Sequence, residues 1–254
     1  MQIISYNVNG IRAAIKKGLV EFLAANEFDI VCIQESKAQP EQVDMAAFEA
    51  LGYHHHWHSA EKKGYSGVIT LSKQAPTKVV KGCGIEQYDR EGRIIRTDFG
   101  DWTLLNCYFP SGSSGDVRQA FKMEYLADFQ KWVNELKKER PKLIVVGDYN
   151  ICHQAIDIHD PVRNKKSSGF LPEEREWMTQ WFDQGFTDAF RHLHEDTQEF
   201  SWWSYRANAR NNNKGWRIDY QSISNNLADK LLEAGHFPDA KQSDHCPVWV
   251  KLDM

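Results

Sequence analysis

A carboxylate and a carboxamide, Asp148 and Asn150, close the apolar run LIVVGDYN at residues 143–150. Side chains two apart on an extended strand point to one face, so both groups are predicted to meet one pocket at the strand's end. An acceptor-only carboxylate beside an amide that donates and accepts suits a site handling water and a phosphate oxygen. The same residues also fit a strand followed by an Asx turn, and the pair alone leaves both readings open. Other strand-like runs end in polar groups too. They are Asn7 with Asn9, Glu35, Asp219 after Trp216-Arg217-Ile218, and Ser243-Asp244-His245 before a final strand. Several carboxylates in one place repel unless a cation or protons hold them. Carboxylates and carboxamides without cysteine favour a hard cation such as Mg²⁺ over zinc. A histidine among them adds a group that titrates near neutrality. These are the parts for metal-assisted hydrolysis of a phosphate ester.

The elements that must position these groups follow from periodicity. Strands are predicted at 3–8, 29–35, 53–57, 66–72, 77–81, 93–99, 102–108, near 217–222 and 247–252, besides the run ending at Asp148. Helical spacing covers 12–26, 43–51 and 117–138, and a further helix opens at Pro172 and runs to about Gln184. Residues 151–170 read as a long polar loop. Helices and strands alternate without a linker, so residues 1–254 are expected to form one mixed α and β domain. A strand ending in Tyr6-Asn7 is echoed by one ending in Tyr149-Asn150, which fits two half-sandwiches of similar design.

The net charge of −4 speaks against a nucleic-acid partner, but a local footprint counts for more than the total. Two segments are basic and polar: Arg163-Asn164-Lys165-Lys166 and residues 206–217. No apolar run is long enough to span a bilayer, and no basic leader precedes the first strand, so a cytoplasmic location without membrane contact is expected. Five cysteines lack any Cys-x-x-Cys pair and fit a reducing compartment. The run His54-His55-His56-Trp57-His58 would be split between two faces of a strand, which argues against chelation.

Eight motifs, taken in chain order, carry a family resemblance. They are NVNGIRA at Asn7, IQESK at Ile33, GYSGV at Gly64, NCYFP at Asn106, GDYN at Gly147, GFLPEER at Gly169, NARNNNKGWRIDY at Asn208 and SDHCPV at Ser243. The chain resembles the exonuclease III family of apurinic/apyrimidinic (AP) endonucleases, within the endonuclease–exonuclease–phosphatase superfamily. The resemblance implies a four-layered α/β sandwich of the deoxyribonuclease I type, two packed mixed β-sheets flanked by helices, with the active site at one edge. It implies that Glu35 binds the metal with Asn7 beside it, assisted by Asp244. Asp148 would align or deprotonate water, Asn150 would contact the phosphate, and His245, oriented by Asp219, would stabilise its charge. Tyr108 would stand near the scissile phosphate, with Ser111 where some relatives carry Asn or Gln. Trp202, Trp216 and Ile218 would line a pocket for a flipped-out abasic sugar, and Arg206 would reach into the duplex. The implied activity is Mg²⁺-dependent cleavage 5′ to abasic sites in double-stranded DNA, with Mn²⁺ as a substitute. Processing of 3′ ends and action as a monomer go with it. Two alternatives stay open: hydrolysis of a non-DNA phosphodiester, and DNA binding without catalysis.

Overall fold

The computed structural model describes residues 1–254. Its twelve strands form two sheets of six. The first sheet contains β1 (Gln2–Asn7), β2 (Ile30–Gln34), β3 (His54–His58), β4 (Val68–Ser72), β11 (Leu231–His236) and β12 (Val248–Leu252), in the order β11-β12-β1-β2-β4-β3. The second contains β5 (Lys78–Lys81), β6 (Ile94–Phe99), β7 (Trp102–Tyr108), β8 (Lys142–Asp148), β9 (Phe186–Asp188) and β10 (Asp219–Ser224), in the order β5-β6-β7-β8-β10-β9. Each sheet holds one parallel pair, β1 with β2 and β7 with β8, and its other pairings are antiparallel. Both are therefore mixed, as the resemblance implied.

Three apolar layers hold the sandwich together. Ile3, Ile30, Cys32, Leu104, Ile144, Val146, Ile223 and Val250 fill the space between the sheets. The outer face of the first sheet packs under α1 (Ile11–Lys16) and α2 (Leu19–Asn26) through residues such as Ile11, Leu19, Leu23, Val31 and Ile33. On the second sheet, α5 (Asp116–Glu139) and α7 (Pro172–Asp183) bury Tyr125, Phe129, Trp177 and Trp181 against Leu105, Leu143 and Val145. Residues 143–148 of β8 are buried without alternation because both faces of that strand are covered. Shorter helices, α3 (Ala46–Ala50), α4 (Glu86–Asp89), α6 (Pro161–Asn164) and α8 (Ala189–Leu193), lie in the connections.

Several expectations need correction. The helix predicted over 12–26 is two helices, because Gly18 adopts φ 88° between α1 and α2. The helix predicted over 43–51 shortens to α3, with Val43 extended behind a 3-10 turn at Pro40–Gln42. The strand near 217–222 begins two residues later, at Asp219, and the 151–170 loop contains α6. β9 and β11 were not anticipated. Cys32, Cys83, Cys107, Cys152 and Cys246 are all free thiols.

One buried ion pair ties the second sheet to its helices. Lys122 of α5 and Glu174 of α7 are fully buried, with Nζ 2.6 Å from Oε1. Lys122 also donates to the carbonyl of Asn150 at 2.8 Å. Glu174 accepts the backbone N–H groups of Gly169 and Leu171 at 2.6 and 2.9 Å. Removing one partner of such a pair strands a charge in the core. We expect Lys122→Met to cost about 3–5 kcal/mol in urea unfolding. Adding Glu174→Gln to that variant should recover part of the loss by removing the stranded charge. A single variant as stable as wild type would refute this account.

Candidate active site

The polar strand ends converge where the two sheets meet. Asn7 closes β1, Glu35 follows β2, Asp148 closes β8 and Asp219 opens β10, directly across from Asp148 in the antiparallel register. Gly147 stands one residue before Asp148 at φ 144°, and a Cβ there would lie 1.7 Å from the Cys107 carbonyl oxygen. Only glycine lets β7 and β8 approach closely enough to deliver Asp148 at this point.

Asn7 is fully buried and joins the two sheets chemically. Its Nδ2 donates to Glu35 Oε1 and to Asp148 Oδ2, both at 2.8 Å. Its side-chain Oδ1 accepts the Asn9 backbone N–H at 3.0 Å. Asn7 thus presents its amide hydrogens, rather than its oxygen, to the carboxylates the sequence grouped with it. Glu35 adopts φ 51°, as does Asn150 at 54°, a left-handed backbone uncommon outside glycine and often found at functional sites. Lys37 sits 2.7 Å from Glu35 Oε2. Burial opposes the charge on Glu35, but Lys37 and the Asn7 amide outweigh it and hold its pKa below the usual carboxylate value.

Asp148 is under the opposite influence. Burial, and then the neighbouring charge of Asp219, raise its pKa, with His245 pulling the other way. His245 Nδ1 lies 2.8 Å from Asp219 Oδ2, and its Nε2 lies 3.9 Å from Asp148 Oδ2. Burial disfavours a charged imidazole, yet the carboxylates, Asp219 first, carry the His245 pKa upward to about 10. The imidazole is therefore a cationic donor at neutral pH. The other oxygen of Asp219, Oδ1, is buried with no partner.

Asn150 departs from the strand-alternation argument. It lies past the end of β8, where its N–H donates to Asp148 Oδ1 at 2.8 Å in an Asx turn. Its Nδ2 reaches the Phe109 carbonyl at 3.0 Å. The Asx turn is present, and it is the turn, not strand alternation, that brings Asn150 to line the same pocket as Asp148.

One cavity is lined by Glu35, Tyr108, Ser111, Asp148, Asn150, Trp202, Trp216, Ile218, Asp244 and His245. Ser113 and Ser168, which the sequence did not single out, complete a hydroxyl-bearing rim. Trp202 and Trp216 meet edge to face in the same cavity, with ring centroids 5.9 Å apart, beside Ile218. Gly169 is needed behind this wall, because a Cβ there would lie 2.9 Å from the Trp216 ring. Asp244 holds this wall with one oxygen and Asn9 with the other: Oδ2 accepts from Trp202 Nε1 and Oδ1 from Asn9 Nδ2, both at 3.0 Å. Burial raises the Tyr108 pKa first, and Glu35 adds to the effect against a smaller pull from Arg93. Its phenol therefore stays protonated and available as a donor. Arg206 lies outside the cavity, exposed on the 3-10 turn Arg206–Asn208. The histidines of β3 join no ligand cluster, and His55 contacts Glu49 instead.

One oxygen each of Glu35 and Asp148 and a ring nitrogen of His245 lie within 4.8 Å of one another. Two carboxylates joined only by an amide, with Lys37 against the outer oxygen of one, form a hard-donor set that fits a cation such as Mg²⁺.

Residues 4–245 match the model of the endonuclease/exonuclease/phosphatase family. An exodeoxyribonuclease of Bacillus subtilis is 41% identical over 256 residues, covering all of both chains. The chain belongs to the endonuclease/exonuclease/phosphatase family. Two solved family structures align over 100% of both chains. A 3′-5′ exonuclease from Neisseria meningitidis superposes with a TM-score of 0.93 at 27% identity. An AP endonuclease from Archaeoglobus fulgidus does so with 0.92 at 26%. The family's deoxyribonuclease I-like sandwich is the fold seen here, and the chain is an enzyme of its hydrolytic nuclease type. No helix of this family member is long and apolar enough to cross a membrane.

Proposed function

We propose that the protein is a DNA repair hydrolase that, with Mg²⁺, cuts duplex DNA on the 5′ side of an abasic site and leaves a 3′ hydroxyl. The observation that carries this reading is one pocket combining a carboxylate–imidazole cluster with a compact tryptophan wall. The wall suits a deoxyribose without its base, whereas an intact nucleotide needs more room. Glu35 and Asp148 are the groups that would hold the cation, which when bound neutralises phosphate charge. Mn²⁺, also a hard cation, serves as a substitute.

The residues divide the remaining work. Asp148 orients the attacking water and accepts its proton at a carboxylate oxygen. His245, cationic and fixed by Asp219, donates from Nε2 to the charge developing on the phosphate. Asn150 and Ser111 bind phosphate oxygens, and Tyr108 donates its phenolic proton in a hydrogen bond near the scissile bond. Asn7 links the two carboxylates through its amide N–H groups, and Asp244 holds Trp202 in place. Arg206, exposed on its 3-10 turn, reaches the duplex. A single copy contains the whole constellation, so the enzyme acts as a monomer.

The same pocket accepts a blocked 3′ end, and a Neisseria relative described as a 3′ phosphatase bound to product DNA hairpin favours that second activity. The test is a duplex carrying one tetrahydrofuran abasic analogue, alongside an undamaged duplex and one with a 3′-phosphate nick. Incision at the analogue is expected with Mg²⁺ and none with EDTA. An intact analogue strand in Mg²⁺ and in Mn²⁺ would overturn the proposal.

A further inference from the structure

Three long cationic side chains are fully buried: Arg93, Lys122 and Arg217. Arg217 is neutralised by Asp157 and Asp188, and Lys122 by Glu174. Arg93 differs because it lies against the ring of a pocket residue. Its guanidinium carbon is 4.8 Å from the centroid of Tyr108, within the range where a cation is drawn to an aromatic face.

Arg93 also grips the Tyr108 backbone at both ends. The Tyr108 N–H donates to the Arg93 carbonyl at 2.8 Å. Arg93 Nη1 donates to the Tyr108 carbonyl at 2.9 Å. The rest of the guanidinium is anchored away from the pocket, Nε to Glu91 at 2.6 Å and Nη2 to the Tyr65 hydroxyl at 3.0 Å. Arg118 binds the same two partners, at 2.6 Å to Glu91 and 2.9 Å to Tyr65. The fork is therefore held from behind while its face carries Tyr108, the last residue of β7, whose backbone pairs with Asp148 of β8.

We propose that Arg93 is a positioning residue for the reaction, acting through Tyr108, with Tyr65, Glu91 and Arg118 as its frame. This rests on the reading of Tyr108 as a donor near the scissile phosphate. The reach of the phenol's hydrogen bond depends on where its ring is held, and the guanidinium against the ring fixes that place. Small misplacements of a reacting group cost about 10²-fold in rate.

The test is steady-state cleavage of the abasic-analogue duplex by Arg93→Met, Arg93→Lys, Tyr108→Phe and the Arg93→Met/Tyr108→Phe pair. Glu91 keeps Arg118 as a partner in the Met variant, so folding is expected and is checked by thermal melting. Arg93→Met should lose about 10- to 100-fold in kcat, with KM near wild type. Arg93→Lys keeps the charge without the fork and should lose less. In the pair, the loss should match that of Tyr108→Phe alone, since no hydroxyl is left to position. Losses that multiply in full, or a folded Arg93→Met enzyme with wild-type kcat, overturn the proposal. A fully active Tyr108→Phe enzyme overturns the reading of Tyr108 itself, and this inference with it. If Arg93→Met fails to fold, the same cycle run with Arg93→Lys decides.

Discussion

The Asp148→Asn variant is expected to lose about 10³-fold in kcat, within the range that general acid–base groups supply, while melting no lower than wild type. An amide cannot take a proton from water, which accounts for the activity. Stability follows from the neighbourhood. Asp148 is buried across from Asp219 and near Glu35, and burial together with the Asp219 charge raises its pKa to about 7. A carboxyl with a raised pKa binds its proton more tightly folded than unfolded. Its ionisation therefore removes stability as pH rises from the ordinary carboxylate range, about 3.9, toward 7. The variant lacks that loss, so in EDTA its advantage over wild type should grow between pH 4 and pH 8. Substantial turnover, or a variant much less stable than wild type at pH 8, would show that Asp148 is a structural acceptor.

Asp219→Asn is the second large effect, with an expected loss of about 10²- to 10⁴-fold in kcat, as when the carboxylate behind a working imidazole becomes an amide. Asp219 accepts from His245 Nδ1 and leads the carboxylates that hold the ring cationic against burial. With an amide in its place, the imidazole pKa falls and Nε2 loses its proton at lower pH. The variant's residual activity should decline as pH rises through the neutral range, whereas wild type, with Asp219 holding the proton on the ring, should lose this donor only at higher pH. An unchanged pH profile would mean that Asp219 does not act through His245.

The strongest sequence signal was β8, because a strand covered on both faces reads as an unbroken apolar run and the carboxylate ending it stands out. The carboxylate and histidine positions were legible for the same reason: each sits at an abrupt change from apolar to polar. Asn150 reached the pocket by a route that spacing could not reveal, since its left-handed turn follows the strand instead of extending it. The break between α1 and α2 was hidden because the apolar stripe continues past Gly18. Arg93 and Lys122 were missed because a buried cation looks like an exposed one in sequence. Their partners Tyr65 and Glu174 lie 28 and 52 residues away, and only the fold reveals the pairing. The Tyr6-Asn7 and Tyr149-Asn150 echo does not mark equivalent places. The equivalent ends are those of β2 and β8, the second strand of each parallel pair, followed by Glu35 and ended by Asp148.

That equivalence has a consequence for how the enzyme comes into being. Glu35 arrives on one sheet and Asp148 on the other, and the Asn7 amide spans the seam between them. Neither sheet alone carries a working centre. A nascent or partly unfolded chain with only one sheet formed is expected to be inert toward DNA, however much native secondary structure it holds. On these proposed roles, nuclease activity reports that the two sheets are docked.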